Sequence, residues 1–249
     1  MSRQVRRVTL TAQIEEILRE DIIAGTFSPG QRLTTAELEL RYLVSATPLR
    51  EALQRLSTQK LVNIDPGLGA TVAPISRAHL FDTYLVREML EVAAVTRSIE
   101  RANASWEEQL RRLFAEFQTA VTVSRGKEYD GLLAWSSAHQ AFHDGLMANC
   151  DSPWIMSLLQ TIHNHSERYR MLSIRTGARD PIEEHSVIFA AALARDIEGA
   201  VEALRRHLRR TVEVLDQSLG VIDGDDAVSQ SVGEQVRSYR STGAIATLA

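Results

Sequence analysis

Cysteine is almost missing from this chain: its 249 residues contain one, Cys150. No internal disulfide can form, and a single thiol points to a reducing compartment, the cytoplasm. No apolar run approaches the ~20 residues needed to cross a bilayer, which argues against a membrane partner. The opening MSRQVRRVTLTAQ has arginines but no apolar stretch, unlike a secretory signal. An excess of positive charge is also lacking. The chain has 28 Lys and Arg against 32 Asp and Glu, a formal net charge of −4, and its first 75 residues carry only +1. Nucleic-acid-binding domains are usually more basic. The deficit does not exclude such a partner, because phosphates respond to charges within about one Debye length, ~8–10 Å, and clustering outweighs totals. No glycine-rich phosphate loop and no serine-centred elbow is present, and Cys150 has no nucleophile context, so an enzyme is not expected. No short-period repeat interrupts this picture.

What is present is ordinary globular material. Hydrophobic content of 44% and charged content of 24% suit a soluble chain, long enough for one large or two ordinary domains. Leu10, Ile14, Ile17, Leu18 and Ile22 recur at helical spacing, predicting a helix over about 11–24 that Gly25 ends. Phe27-Ser28-Pro29-Gly30 reads as a turn. Thr34 with Glu37 three residues later forms a capping box for a short second helix carrying Leu38 inward. Ser45 or Thr47 caps a third helix, with Pro48 tolerated in its first turn. Leu49, Leu53 and Leu56 line one face of it; Thr47, Arg50, Gln54 and Ser57 line another. Residues 61–64 and 70–73 read as two short strands around Asp65-Pro66-Gly67-Leu68-Gly69, a small hairpin. From Ser76 onward only helices are expected, at about 77–102, 105–124, 127–149, 152–174, 181–194 and 196–219, with Ser76, Ser105 and Asp196 as N-caps. Apolar periodicity fades after Gly220.

This order describes a mainly α chain: an N-terminal winged helix-turn-helix over 1–75, an all-helical bundle over 76–220, and a loosely structured tail over 221–249. Helix, helix and hairpin in succession place the third helix for the major groove of double-stranded DNA. Arg50 and Gln54, one turn apart, suit guanine and adenine edges or phosphates. Ser45 and Thr47 at the helix start suit phosphate oxygens. Gly67 lets the wing tip approach a backbone closely.

PGQRL, VSATPLREALQRL and LVNIDPGLGATV together resemble the N-terminal domain of the GntR-type bacterial transcription regulators, over about Leu10–Pro74. The resemblance implies a recognition helix opening Val-Ser-Arg-Thr-Pro, in which that arginine and the one five positions after the serine touch DNA. The second is kept as Arg50, whereas Ala46 stands at the first. A further arginine of some members aligns with Ala36. Arg41, or the Arg3-Arg6-Arg7 arm, is then expected to compensate.

Histidine spacing supplies a second candidate site. His139 and His143, four apart in WSSAHQAFHDGL, project from one helix face, and His185 and His207 lie on further helices. Imidazoles converging from three helices suit Zn²⁺ or Ni²⁺, although i,i+4 histidines also occur simply packed. His163 and His165 point to nearly opposite sides of a helix, and His79 is isolated. FDTYLVREMLE, HQAFHDGLMAN and EEHSVIFAAALARDIEGAVEALRRHL resemble the ligand-sensing FCD domain of the FadR-like subfamily. That resemblance implies a divalent metal on His143, His185 and His207, with His139 at the position of the family's aspartate. It also implies a small carboxylate effector. Arg87, in REMLE, is the candidate partner for that carboxylate; the alternative is an intrahelical pair with Glu91. Arg170 and Arg175 are further effector-binding candidates.

The expected function is an effector-controlled transcription regulator, a repressor, binding a palindromic operator as a homodimer, because two recognition helices must meet successive half-sites. The alternatives are a metal-dependent hydrolase and a metal-free protein-interaction module. HQAFH lacks the glutamate base of His-Glu-x-x-His, which disfavours the first.

Overall fold

The computed structural model describes residues 9–67, 69–124, 129–173 and 181–222. Arg175, the Arg3-Arg6-Arg7 arm and the tail beyond Ile222 lie outside them. Two compact units are present, each described by itself. One takes the residues up to Ser76 together with Asn164–Leu172; the other takes Arg77–His163 and the residues from Ser173 on.

In the first unit, α1 (Leu10–Ile23) opens at Thr9, whose hydroxyl accepts from the Ala12 N–H at 3.2 Å, and buries Ile14, Leu18 and Ile22. The Thr34–Glu37 box opens α2 (Thr35–Tyr42). Thr34 Oγ1 accepts the Glu37 N–H at 3.3 Å and donates to the Glu37 carboxylate at 2.7 Å. α2 stops at Leu43, held left-handed at φ 55°, an uncommon conformation for a residue with a Cβ. After Val44, Ser45 is the N-cap of α3 (Ala46–Thr58), but its hydroxyl makes no capping bond, and Thr47 falls inside the helix. Leu49, Ala52, Leu53 and Leu56 of α3 join the face of α1, Leu38 of α2 and Phe27 in one core.

The hairpin is β2 (Val62–Asp65) and β3 (Gly69–Val72), in register from Val62↔Val72 to Asp65↔Gly69. A third strand, β1 (Arg32–Leu33), pairs antiparallel with β3, giving the order β1-β3-β2. Sequence reasoning did not foresee it, because two residues carry no readable alternation. Leu33 is buried and Arg32 exposed, as opposite faces of one strand require. Residues 164–172 join this unit through His165, whose Nε2 lies 2.9 Å from the Gln59 carbonyl, Arg168, which donates to Ala73 O, and Tyr169, whose hydroxyl donates to Ser76 O at 3.1 Å.

The second unit is helical among its described residues: α4 (Arg77–Glu100), α5 (Ala104–Ser124), α6 (Tyr129–Leu146), α7 (Pro153–Ser173) through His163, α8 (Pro181–Leu193) and α9 (Ile197–Ile222). Asn103, rather than Ser105, caps α5: its side-chain oxygen accepts the Trp106 N–H at 2.9 Å. Asp196 caps α9 by accepting from the Gly199 N–H at 2.9 Å. α5 lies close against α6 at Gly145, where a Cβ would meet Leu113 Cδ1 at 2.3 Å. The Trp106 indole donates to the Gly145 carbonyl at 2.9 Å beside this contact. Arg77 grips Asp216 with two bonds of 2.6 Å, and Arg205 meets Glu88 at 3.3 Å, so α4 and α9 are tied at two levels. No helix among the described residues is long and apolar enough to cross a membrane.

Candidate DNA-reading face and candidate metal centre

Burial of the leucine face of α3 forces its other face outward. Ser45, Thr47, Arg50 and Gln54 are all exposed, an arrangement that offers one helix edge to a duplex. Arg50 makes no ion pair among the described residues. Glu51, its neighbour, instead accepts from the Thr11 hydroxyl at 2.9 Å. Arg50, Gln54 and Leu53 share a concavity of about 410 Å³ with Arg32 and Leu33 of β1, Thr34 and Thr35, and Ile64, Gly69 and Ala70 of the wing.

Arg41 lies elsewhere. Its guanidinium sits over the rings of Phe27, at 5.2 Å, and Tyr42, at 5.7 Å, and faces Asp21 at 3.6 Å. In the wing, Gly67 donates its N–H to Asp65 Oδ1 at 2.7 Å. The left-handed glycine is Gly69, at φ 81°. Gly69, rather than the Gly67 that the sequence pattern suggests, is therefore the position whose backbone disfavours a side chain.

The second unit brings the four singled-out histidines together. His139 and His143 come from α6, His185 from α8 and His207 from α9; all four are buried, and one ring nitrogen of each lies within 4.8 Å of the others. Phe117 packs on His185 and His139 at centroid distances of 4.8 and 5.9 Å, and Trp135 stacks on His139 at 5.4 Å. The cluster is therefore walled by apolar rings.

Hydrogen bonds set two of the ring orientations. His185 Nδ1 faces the Pro181 carbonyl, an acceptor only, so it carries a proton, and in the neutral ring Nε2 then keeps the lone pair. His207 Nδ1 lies 3.1 Å from the Glu184 carboxylate, with the same consequence. Backbone carbonyl and carboxylate partners of this kind orient metal-bound imidazoles. His143 Nε2 lies 3.2 Å from His185 Nε2, close to the ~3.3 Å separation of two nitrogens on one tetrahedral ion with bonds of about 2.05 Å. His143 Nδ1 is buried without a hydrogen-bond partner. Burial, followed by the neighbouring His185 and His207, holds the His143 imidazole well below its ordinary pKa against the pull of Glu91. His143 is thus neutral, the form that donates to a metal. These residues fit a borderline divalent cation.

Beside the cluster runs a buried polar chain, of which the sequence pointed only to the Arg87–Glu91 pair, the alternative weighed for Arg87. Glu91 Oε1 accepts from Arg87 Nε and from His163 Nε2, both at 2.7 Å. Gln140, itself 2.9 Å from Asp144, sits 2.9 Å from His163 Nδ1. Burial raises the Glu91 pKa, but the Arg87 guanidinium, followed by the His163 hydrogen bond, outweighs it and holds the carboxyl well below its usual range. Its second oxygen, Oε2, is buried without a hydrogen-bond partner. The spacing of His163 from His165 suits no shared ion; across helices His163 serves a carboxylate. Arg87 also lies over the Tyr84 ring at 5.4 Å. Arg170, in the first unit, forms a two-bond pair with Glu167.

Comparison with known proteins assigns both halves of the chain to known families. Residues 10–72 match the bacterial regulatory proteins of the gntR family, and residues 82–210 match the FCD domain. The HTH-type transcriptional repressor GlaR of Escherichia coli (strain K12) is 30% identical over 212 residues, covering 81% of this chain and 94% of that protein. The uncharacterized HTH-type transcriptional regulator BphR of Paraburkholderia xenovorans (strain LB400) is 32% identical over 202 residues, covering 80% and 82%. Among solved structures, Escherichia coli McbR/YncC superposes with a TM-score of 0.73 at 23% identity, covering 86% of this chain and 100% of that one. These relatives are regulators rather than enzymes. Gln140, moreover, stands in HQAFH in place of the glutamate that a hydrolase of that spacing needs. Reading helix, wing and histidine-bearing bundle thus have one common explanation: the chain belongs to the GntR family of DNA-binding transcription regulators and carries an FCD domain.

Proposed function

We propose that this regulator is a homodimeric repressor of a palindromic operator, controlled by a small carboxylate that binds at a histidine-held divalent ion, zinc or nickel. The observation that carries the proposal is the buried cluster of His139, His143, His185 and His207, with two of its rings turned by acceptors that leave Nε2 for an ion. Repression follows from similarity to GlaR and RspR, HTH-type transcriptional repressors of Escherichia coli, the latter 28% identical over 207 residues. Dimerisation follows from half-site geometry, since two reading helices must lie about one helical turn apart.

On the DNA side, Arg50 and Gln54 read base edges, while Ser45, Thr47 and the wing at Gly67–Gly69 set the helix on the backbone. On the effector side, an ion with more than four neighbours still accepts a carboxylate oxygen beside four imidazoles. Arg87 is the candidate second contact. Its Nε donates to Glu91, and a guanidinium fork matches a carboxylate in geometry. Arg170 and Arg175 stay secondary candidates. Effector control requires different affinities for the two arrangements of the dimer.

Elemental analysis of protein purified without chelator, paired with operator selection from random duplexes with and without small organic acids, tests the proposal. About one equivalent of zinc or nickel per chain is expected, together with acid-dependent release of the selected operator. Less than a few tenths of an equivalent leaves a metal-free bundle and overturns the sensing half.

A further inference from the structure

Five arginines lie between Thr9 and Ser76. Three are paired with acids: Arg19 with Glu16, Arg41 with Asp21 and Arg55 with Glu15. The remaining two, Arg32 and Arg50, make no ion pair among the described residues, and both line the same concavity. No acid lines it. The weak overall charge of the domain therefore hides a local concentration: acids neutralise the arginines elsewhere and leave this spot positive. Two like-charged guanidinium groups around one hollow repel each other unless an anion enters.

Arg32 is held there by the fold. It occupies the edge strand β1, opposite Thr71 of β3, and its neighbour Leu33 is anchored in the core. Alternation along the strand fixes the Arg32 side chain on the outer face. Around the same hollow, α3 contributes Arg50 and Gln54, and the wing contributes Ile64 and Gly69, whose left-handed backbone carries no side chain to block approach.

We infer that Arg32 binds a phosphodiester of the operator backbone, beside the groove that α3 enters. The inference rests on the DNA-reading role of α3 and adds a contact that sequence reasoning did not name. A guanidinium fork matches phosphate geometry. A contact from an edge strand beside the reading helix fixes register and adds affinity without reading bases. With alanine at positions 36 and 46, Arg32 supplies a cation from a different element, in place of Arg41, which is engaged with Phe27 and Asp21.

The test uses the full chain and a duplex selected from a random pool, titrated by fluorescence anisotropy between 50 and 300 mM salt. Arg32→Ala is expected to weaken binding about tenfold, equally for the operator and its single-base variants, and to reduce the slope of log K against log salt by about 0.9. Arg32→Lys should keep the slope, and Arg55→Ala should leave it unchanged. Arg50→Ala, by contrast, should cost more than tenfold and alter base preference. An unchanged slope for Arg32→Ala, in protein with an unaltered melting curve and with Arg50→Ala still defective, overturns the Arg32 contact alone. A change in base preference on Arg32→Ala overturns the phosphate assignment. Wild-type protein that binds no duplex overturns the reading role of α3 itself.

Discussion

Glu184 offers the sharpest test of the histidine centre because it is not itself a ligand. Its Oε2 lies 3.1 Å from His207 Nδ1, and its Oε1 lies 3.2 Å from Arg210. Removing it by Glu184→Ala leaves all four imidazoles in place but frees the His207 ring to turn or change tautomer. Loss of such an orienting partner costs about 10–100-fold in metal affinity, or ~1.4–2.8 kcal/mol. The orphaned Arg210 adds little, since its side chain is 58% exposed and water screens it. Glu184→Gln keeps an oxygen for Nδ1 but removes the charge, and should fall between wild type and Ala. Competition against a chelator of known zinc affinity reads the change directly. A thermal melt in excess zinc gives a second reading. Metal that binds only the folded state stabilises by RT ln(1 + [L]/Kd), so a tenfold weaker site loses ~1.4 kcal/mol of stabilisation, and the metal-induced rise in Tm shrinks by about 3–5 °C. Equal zinc affinities for wild type and Glu184→Ala, with His207→Ala also unaffected, would refute the reasoning.

Gly145→Ala places a Cβ 2.3 Å from Leu113 Cδ1, a terminal methyl of a half-buried side chain that must turn aside; the cost should offset the gain in helix propensity and leave stability within about 1 kcal/mol of wild type in a urea titration. Leu43→Gly should stabilise the first unit by about 0.5–1 kcal/mol, because φ 55° strains a leucine that is 88% exposed and contributes no packing. His165 has its pKa lowered by burial, against the Gln59 hydrogen bond. Its neutral form is favoured in the folded state, so the unfolded chain binds the extra proton below its ordinary value of about 6.5. Stability should therefore be full above that pH and fall as pH drops toward the depressed folded value, and a pH series of melts on His165→Asn should show a shallower fall than wild type.

Local signals carried much of the fold. Thr34 and Glu37 mark a helix start because capping needs two residue types at one spacing, and the leucines at 49, 53 and 56 mark a buried face because 3.6 residues make a turn. Asp196 was readable for the same reason. Ser105 was not the cap of α5; Asn103, two residues earlier, takes that role, and both types suit the position, so sequence could not rank them. Strand β1 escaped notice because its partner, β3, is nearly forty residues away and its two residues show no period. His139, His143, His185 and His207 could be grouped from spacing and resemblance. Glu91 with His163, and Glu184 with His207, depend on which helix faces align, and nothing in a single sequence states that alignment.

Charge around the histidines bears on what an ion there would favour. Glu91 and Arg87 cancel each other, Glu184 is shared between His207 and Arg210, and His143 is held neutral. On the proposed reading, a dication bound to four neutral imidazoles keeps nearly its full charge within an apolar wall of Phe117, Phe142 and Trp135. Hard ions such as Mg²⁺ or Ca²⁺ depend on anionic oxygen donors to offset dehydration, and this donor set offers none, whereas Zn²⁺ and Ni²⁺ bond well to nitrogen. The same uncompensated charge gives an incoming carboxylate its advantage: it removes one positive charge from a poorly solvated place, where a neutral ligand removes none. The donor set that disfavours hard ions therefore also favours an acid as the signal. A centre that bound Mg²⁺ more tightly than Zn²⁺, or that preferred neutral ligands over acids, would contradict both halves of this argument together.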